Sequence, residues 1–141
     1  MSYSILIVDD SLPMRSVIKR TLKTAGYGSS EFLEAANGEE ALDLMKNSWV
    51  DLVITDHNMP VMNGLEFIKN IKKDPLSKDI PVVMVSTEGN DSKIREFIDC
   101  GAAGYITKPF TAETIRDLIV TILGEVNYEE TFDESDGELD F

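Results

Sequence analysis

The sequence is short of cations, thiols and long apolar runs. Thirteen Lys and Arg stand against 26 Asp and Glu, a formal net charge of −13. Binding to a nucleic-acid backbone depends on neutralising phosphates with cations, so direct nucleic-acid binding is excluded. Cys100 is the only cysteine. It allows no intrachain disulfide, and nothing in the thiol count requires an oxidising compartment. No apolar run approaches the roughly 18 residues of a membrane span, and the basic stretch, apolar run and small-residue cleavage site of a signal peptide are missing. The expectation is a soluble cytoplasmic protein without membrane insertion.

What is present is enough for one core. The 141 residues are 43% hydrophobic and 28% charged, against a usual domain length of about 100 to 200 residues. The charge is unevenly placed. Residues 125–141 carry eight acids and no base, whereas residues 1–124 carry 13 bases and 18 acids, a net of −5. The break divides the chain into a folded unit, 1–124, and an acidic tail, 125–141. The tail reads as a solvated extension, since dense like charge opposes collapse. Tyr128, Phe132, Leu139 and Phe141 interrupt its acids, however, a pattern that suits docking on a partner or on the face that the last two helices and the strand between them make on the chain's own domain.

Short apolar runs alternate with amphipathic stretches. Ile5-Leu6-Ile7-Val8, Leu52-Val53-Ile54 and Val82-Val83-Met84-Val85 are continuous, as in strands covered on both faces of a parallel sheet. Glu31 to Ala35 and Gly104 to Thr107 complete a set of five. The intervening segments have helical spacing. A first helix follows a Ser11 cap and Pro13, carries Val17, Ile18, Thr21, Leu22 and Ala25, and stops at Gly26. Asn37 and Glu40 resemble a capping box opening a second helix through Ala41, Leu42 and Met45. A third carries Leu65, Ile68 and Ile71; a fourth runs from Asp91 or Ser92 through Phe97 to Gly101; a fifth runs from Thr111 to Gly124. The order βαβαβαβαβα calls for an open, doubly wound five-stranded parallel sheet with helices on both faces. Ligands of such sheets bind beyond the carboxyl ends of the strands.

Those ends deliver Asp9-Asp10, Asp56, Ser86-Thr87 and Lys108-Pro109 to one edge. Three carboxylates and one ammonium leave −2, which repels itself at close range unless a cation intervenes. Hard oxygen ligands with few protein contacts suit Mg²⁺. With metal and ammonium in place, Asp56 can attack phosphorus to form an aspartyl phosphate, and Ser86 can donate to a phosphoryl oxygen.

Together Asp9-Asp10, the stretch from Asp56 to Gly64, Ser86 and Lys108-Pro109-Phe110 resemble the receiver domain of two-component response regulators, specifically the chemotaxis-type (CheY-like) single-domain members. The likeness spans residues 3 to 124 and implies a flavodoxin-like (βα)5 sandwich. It makes Asp56 the phosphoacceptor for a sensor histidine kinase or a small acyl phosphate. Asp10, Asp56 and the Asn58 backbone carbonyl become direct Mg²⁺ ligands, with Asp9 acting through water. Lys108, before a cis Lys108-Pro109 bond, meets a phosphoryl oxygen. Ser86 and Tyr105 become the switch pair that changes the face made by the fourth helix, fifth strand and fifth helix, where a downstream target protein binds. Asn58 and Glu88 tune phosphoryl lifetime, and Thr87 departs from the small residue usual after the hydroxyl. The implied molecule is a stoichiometric acceptor rather than an enzyme, a monomer or weak dimer, that autodephosphorylates.

Three rivals use the same residues differently: an electron-transfer flavoprotein, a metal-dependent phosphatase with an aspartyl nucleophile, and a phosphorylation-independent interaction module. Asp9-Asp10 would repel a flavin phosphate, and a phosphatase of that kind generally has an acid/base carboxylate where Asn58 stands. The intact acidic cluster opposes the third. His57 reads as a surface residue and Cys100 as a packing residue.

Overall fold

A computed structural model describes residues 3–87 and 89–124 of the chain. The acidic tail and Glu88 lie outside the described residues. Five strands form one parallel sheet: β1 (Ser4–Val8), β2 (Glu31–Ala35), β3 (Leu52–Asp56), β4 (Val82–Ser86) and β5 (Gly104–Thr107), in the order β2-β1-β3-β4-β5. Five α-helices connect or follow them: α1 (Leu12–Leu22), α2 (Gly38–Asn47), α3 (Gly64–Lys73), α4 (Asp91–Asp99) and α5 (Ala112–Leu123). Among the described residues, no helix is long and apolar enough to cross a membrane.

The continuous apolar runs have a simple cause. Successive side chains of a strand point to opposite faces, so each central strand feeds two cores. Ile5, Ile7, Ile54, Val83 and Val85 pack with Ile18 and Leu22 of α1 and Ile115 and Ile119 of α5. Leu6, Val8, Val53 and Met84 pack on the other face with Ala41, Phe67, Ile68, Ile71 and Phe97. Strands β1, β3 and β4 are buried along their whole length, while the edge strands β2 and β5 are partly open.

Every helix begins at the edge where the strands end, and a side chain caps each one. Ser11, Asn37, Asn63, Asn90 and Thr111 accept from the backbone N–H of Met14, Glu40, Glu66, Lys93 and Thr114. The helix N-termini, with their partial positive charge, therefore face the site edge.

Three details differ from the sequence reading. The reciprocal capping box lies at Asn63 and Glu66, where Glu66 Oε1 accepts from the Asn63 N–H at 3.2 Å. At Asn37 only half of it forms, because Glu40 Oε1 accepts instead from the Ala36 N–H at 2.9 Å. Nor does Gly26 simply stop α1. The regular helix ends at Leu22 and continues as a π turn over Lys23–Tyr27, with Gly26 at φ 110°, which sets Ala25 and Tyr27 into the core.

Candidate phosphoacceptor and metal site

β2 and β3 flank β1 on opposite sides, so the order of strands reverses at β1, and the polar residues emerge beside that crevice. Asp9 and Asp10 follow β1, and Asp56 ends β3. One carboxylate oxygen from each of the three lies within 4.8 Å of the others. Asp9 and Asp56 are only 2% and 6% exposed, and Asp10 is open to solvent.

Lys108 crosses to this cluster from the end of β5. Its Nζ donates to Asp56 Oδ1 at 3.2 Å and lies 3.8 Å from Asp9 Oδ2. The Lys108-Pro109 peptide bond is cis, and the Lys108 N–H donates to the Ser86 carbonyl at 2.9 Å, tying β5 to the end of β4. Asp9 Oδ1 accepts from the Ser11 N–H at 2.9 Å. Its buried Oδ2 has no hydrogen-bond donor, because 3.8 Å from Lys108 is an ion-pair distance and not a hydrogen bond. Burial pushes the Asp9 carboxyl up from its ordinary range, and Asp56 and Asp10 add to that rise, against the Ser11 N–H and Lys108. A buried oxygen lacking a donor, inside three converging carboxylates with one ammonium, fits a hard divalent cation.

Ser86, fully buried, ends β4 one residue beyond the position paired with Asp56, in register with Thr107 of β5. Thr87 and Asn58 are exposed at the mouth. Tyr105 is half-buried on β5 and stacks on Phe97 of α4, ring centroids 5.5 Å apart. The structure thus brings Asp9, Asp10, Asp56, Ser86 and Lys108 to one edge and sets Tyr105 behind Ser86 on the sheet face that α4 covers.

His57 is not a surface residue. It is buried, with its ring edge-on to Phe97 at 4.8 Å. A row His57, Phe97, Tyr105 therefore joins the residue after Asp56 to the middle of β5. The helical spacing of Phe97 marked it as core, but nothing in the sequence pairs it with His57. Gly64, which closes the motif that begins at Asp56, has a packing role that its residue type alone does not state. A Cβ there would stand 2.7 Å from the Asp56 carbonyl oxygen and 2.9 Å from both His57 Cα and Met84 Sδ. Its absence lets the Gly64 N–H donate to the His57 carbonyl at 2.9 Å and brings the start of α3 against the Asp56 loop. Cys100 is half-buried against the α2–α3–α4 core, as a packing residue should be.

Residues 5–120 match the family described as response regulator receiver domain. A chemotaxis protein CheY homolog of Campylobacter jejuni is 42% identical over 121 residues, covering 85% of this chain and 92% of its own length. Chemotaxis protein CheY1 of Helicobacter pylori is 40% identical over 121 residues, with 85% and 96% covered. Among solved structures, chemotaxis response regulator CheY4 of Vibrio cholerae superposes with a TM-score of 0.78 at 37% identity, covering 87% of this chain and 100% of that one.

Proposed function

The chain belongs to the receiver-domain family of response regulators, and from that premise we propose that it is a phosphorylation-dependent switch of a two-component pathway, of the chemotaxis type, with Asp56 as phosphoacceptor. The observation that carries this reading is the buried Asp56 carboxylate, held by Lys108 Nζ at 3.2 Å and crowded by Asp9 and Asp10. The receiver unit is taken as residues 1–124.

An Asp56 oxygen attacks the phosphorus of a phosphohistidine on a sensor histidine kinase, or of a small acyl phosphate. The bond from phosphorus to the leaving nitrogen or oxygen breaks, and the leaving group keeps the electron pair. Asp9, Asp10, Asp56 and the Asn58 backbone carbonyl would hold Mg²⁺. When bound, the ion offsets charge on the transferring oxygens. Lys108 passes its charge-assisted hydrogen bond from Asp56 to a phosphoryl oxygen, and the Ser86 hydroxyl donates to another. Tyr105 follows Ser86 inward, changing the α4–β5–α5 face on which a target protein binds.

Shifting a two-state equilibrium from 1:99 to 99:1 takes about 5.5 kcal/mol of differential interaction. Two charge-assisted hydrogen bonds, at roughly 1.5 to 3 kcal/mol each, supply much of it. Asn58 and Glu88 help place the water that later hydrolyses the acyl phosphate, while Thr87 narrows its approach. Labelling with a radioactive acyl phosphate and Mg²⁺ tests the assignment. One phosphoryl group per chain is expected, lost in Asp56→Asn; full labelling of that variant would overturn it.

A further inference from the structure

The edge opposite the phosphoacceptor holds a second cavity. It has a volume of about 430 Å³, opens where β1 and β2 begin, and includes Tyr3, Ser4, Glu31, Ser48, Trp49 and Asp51 in its lining. The five residues of β1 separate it from Asp9, about 16 Å along a strand, so the two sites do not overlap. Strand alternation explains its walls. Ser4 pairs with Glu31, and Leu6 with Leu33. Leu6 and Leu33 face the core that α2 covers, and Ser4 and Glu31, two positions earlier on each strand, point to that same face. Trp49, just beyond α2, and Asp51, just before β3, bring the remaining side chains to it.

The lining is built for a donor-rich cation. Ser4 is only 9% exposed, and its buried Oγ has no hydrogen-bond partner, whereas buried polar atoms normally find one. The Asp51 carboxylate is fixed from two sides. Its Oδ2 accepts from the Ser4 N–H at 2.8 Å and its Oδ1 from the Trp49 indole N–H at 2.7 Å, while the Asp51 N–H donates back to the Ser4 carbonyl at 2.8 Å. Each carboxylate oxygen keeps a lone pair for a further donor. The indole held in this way is 73% exposed. Asp51 and Glu31 bring two negative charges, and among the described residues no base lines the cavity.

We propose that this cavity binds a guanidinium group, laid on the face of Trp49 with its N–H fork on Asp51, a further N–H on Ser4 Oγ, and Glu31 closing the charge. Guanidinium is planar, stacks on aromatic faces and presents five donors in a fixed fork, which the carboxylate, hydroxyl and indole match together. An ammonium is a compact point charge that meets the acids without using the ring in the same way. A bare metal ion fills little of the volume and has no use for an indole. The group can come from an arginine side chain of a protein partner or from a small guanidinium compound.

The site does not rest on Asp56 acting as acceptor, and the experiment keeps the two apart. Trp49 is the only tryptophan, so its emission reports on this cavity. The full-length protein is titrated at constant ionic strength with N-acetyl-argininamide, arginine, N-acetyl-lysinamide and CaCl2, and amide NMR locates the shifts. A saturable change of Trp49 emission by N-acetyl-argininamide is expected, with shifts at Ser4, Leu33, Asp51 and the Trp49 indole. N-acetyl-lysinamide, of equal charge, should bind about tenfold more weakly, as for one charge-assisted hydrogen bond lost. Ser4→Ala should weaken N-acetyl-argininamide by a similar factor, and Glu31→Gln, an exposed change, by roughly two- to fivefold. Asp56→Asn should bind it as the parent does. Tighter binding of N-acetyl-argininamide than of arginine, whose own carboxylate meets two acids, makes the ligand a side chain in a polypeptide; otherwise it is a free guanidinium compound. No saturable change up to about 10 mM, beyond which a contact carries little free energy, an equal response to N-acetyl-lysinamide or CaCl2, shifts confined to other parts of the molecule, or full affinity in Ser4→Ala overturns the proposal.

Discussion

At the residue scale, the site is defined by groups that are expensive to place. The Asp9 carboxyl is raised by burial first and then by Asp56 and Asp10. An acid whose folded pKa lies above its unfolded value stabilises the protein below that unfolded value, 3.8 here, and loses the contribution as pH rises through the folded one. Ionising Asp9 in the fold is therefore a cost. Asp9→Asn is expected to stabilise the metal-free protein and to shrink the rise in Tm on adding Mg²⁺. Thermal melts with Mg²⁺ and with chelator check both; an unchanged Mg²⁺ response in the variant would remove Asp9 from the ion's surroundings. Gly64 is the second costly place. Its missing side chain clears the Asp56 carbonyl, a backbone atom that cannot swing away. Gly64→Ala should lower stability by roughly 1 to 3 kcal/mol, read from the urea midpoint, and should slow labelling of Asp56 because the loop must shift. These two residues mark the limit of the sequence reading. Asp9 was legible because its type and strand-end position state its chemistry. Gly64 and buried His57 were not, because close approach and burial depend on which elements meet.

At the element scale, the five strands and five helices were readable from apolar runs and helical periodicity, and so were the strand ends at Asp56 and Ser86. Thr55, Asp56 and Ser86 are polar yet buried, so β3 and β4 extend past their apolar runs to carry chemistry. The turn after α1 was misjudged because Gly26 at φ 110° permits a wider π turn as readily as a stop. α1 itself is fastened to β2 by Glu34, whose carboxyl is held below its ordinary range by hydrogen bonds from Lys19 and Arg15. A lowered acid contributes stability above its unfolded value, 4.5 here, and loses it as pH falls through the folded one. Glu34→Gln should therefore destabilise the protein at pH 7 by about 0.5 to 1 kcal/mol, a partly exposed pair being worth little more. Parent and variant should converge as the solution is acidified below pH 4.5; a constant gap would mean that the charge contributes nothing.

At the scale of the whole molecule, burial is graded across the sheet. β1, β3 and β4 are covered on both faces, while β2 and β5 form the edges. Hydrogen exchange should show amides of β1, β3 and β4 opening only with global unfolding and those of β2 and β5 opening locally. Uniform protection would contradict this. The gradient suits the proposed switch, because Asp56 sits on a strand buried along its whole length, whereas Tyr105 lies on a partly open edge strand and Lys108 directly follows it. Fold class was legible here as well, since alternating strands and helices leave few arrangements; the strand order, which brings Asp9 and Asp56 together, had to be seen.

The parallel sheet also divides the loops into two sets. All of the chemistry sits where strands finish, while Trp49 and Leu76, 73% and 89% exposed, lie in the loops that lead into β3 and β4. Those loops are free to diverge, and a fluorescent reporter grafted at Leu76 would travel with the protein without entering its conversation with phosphate.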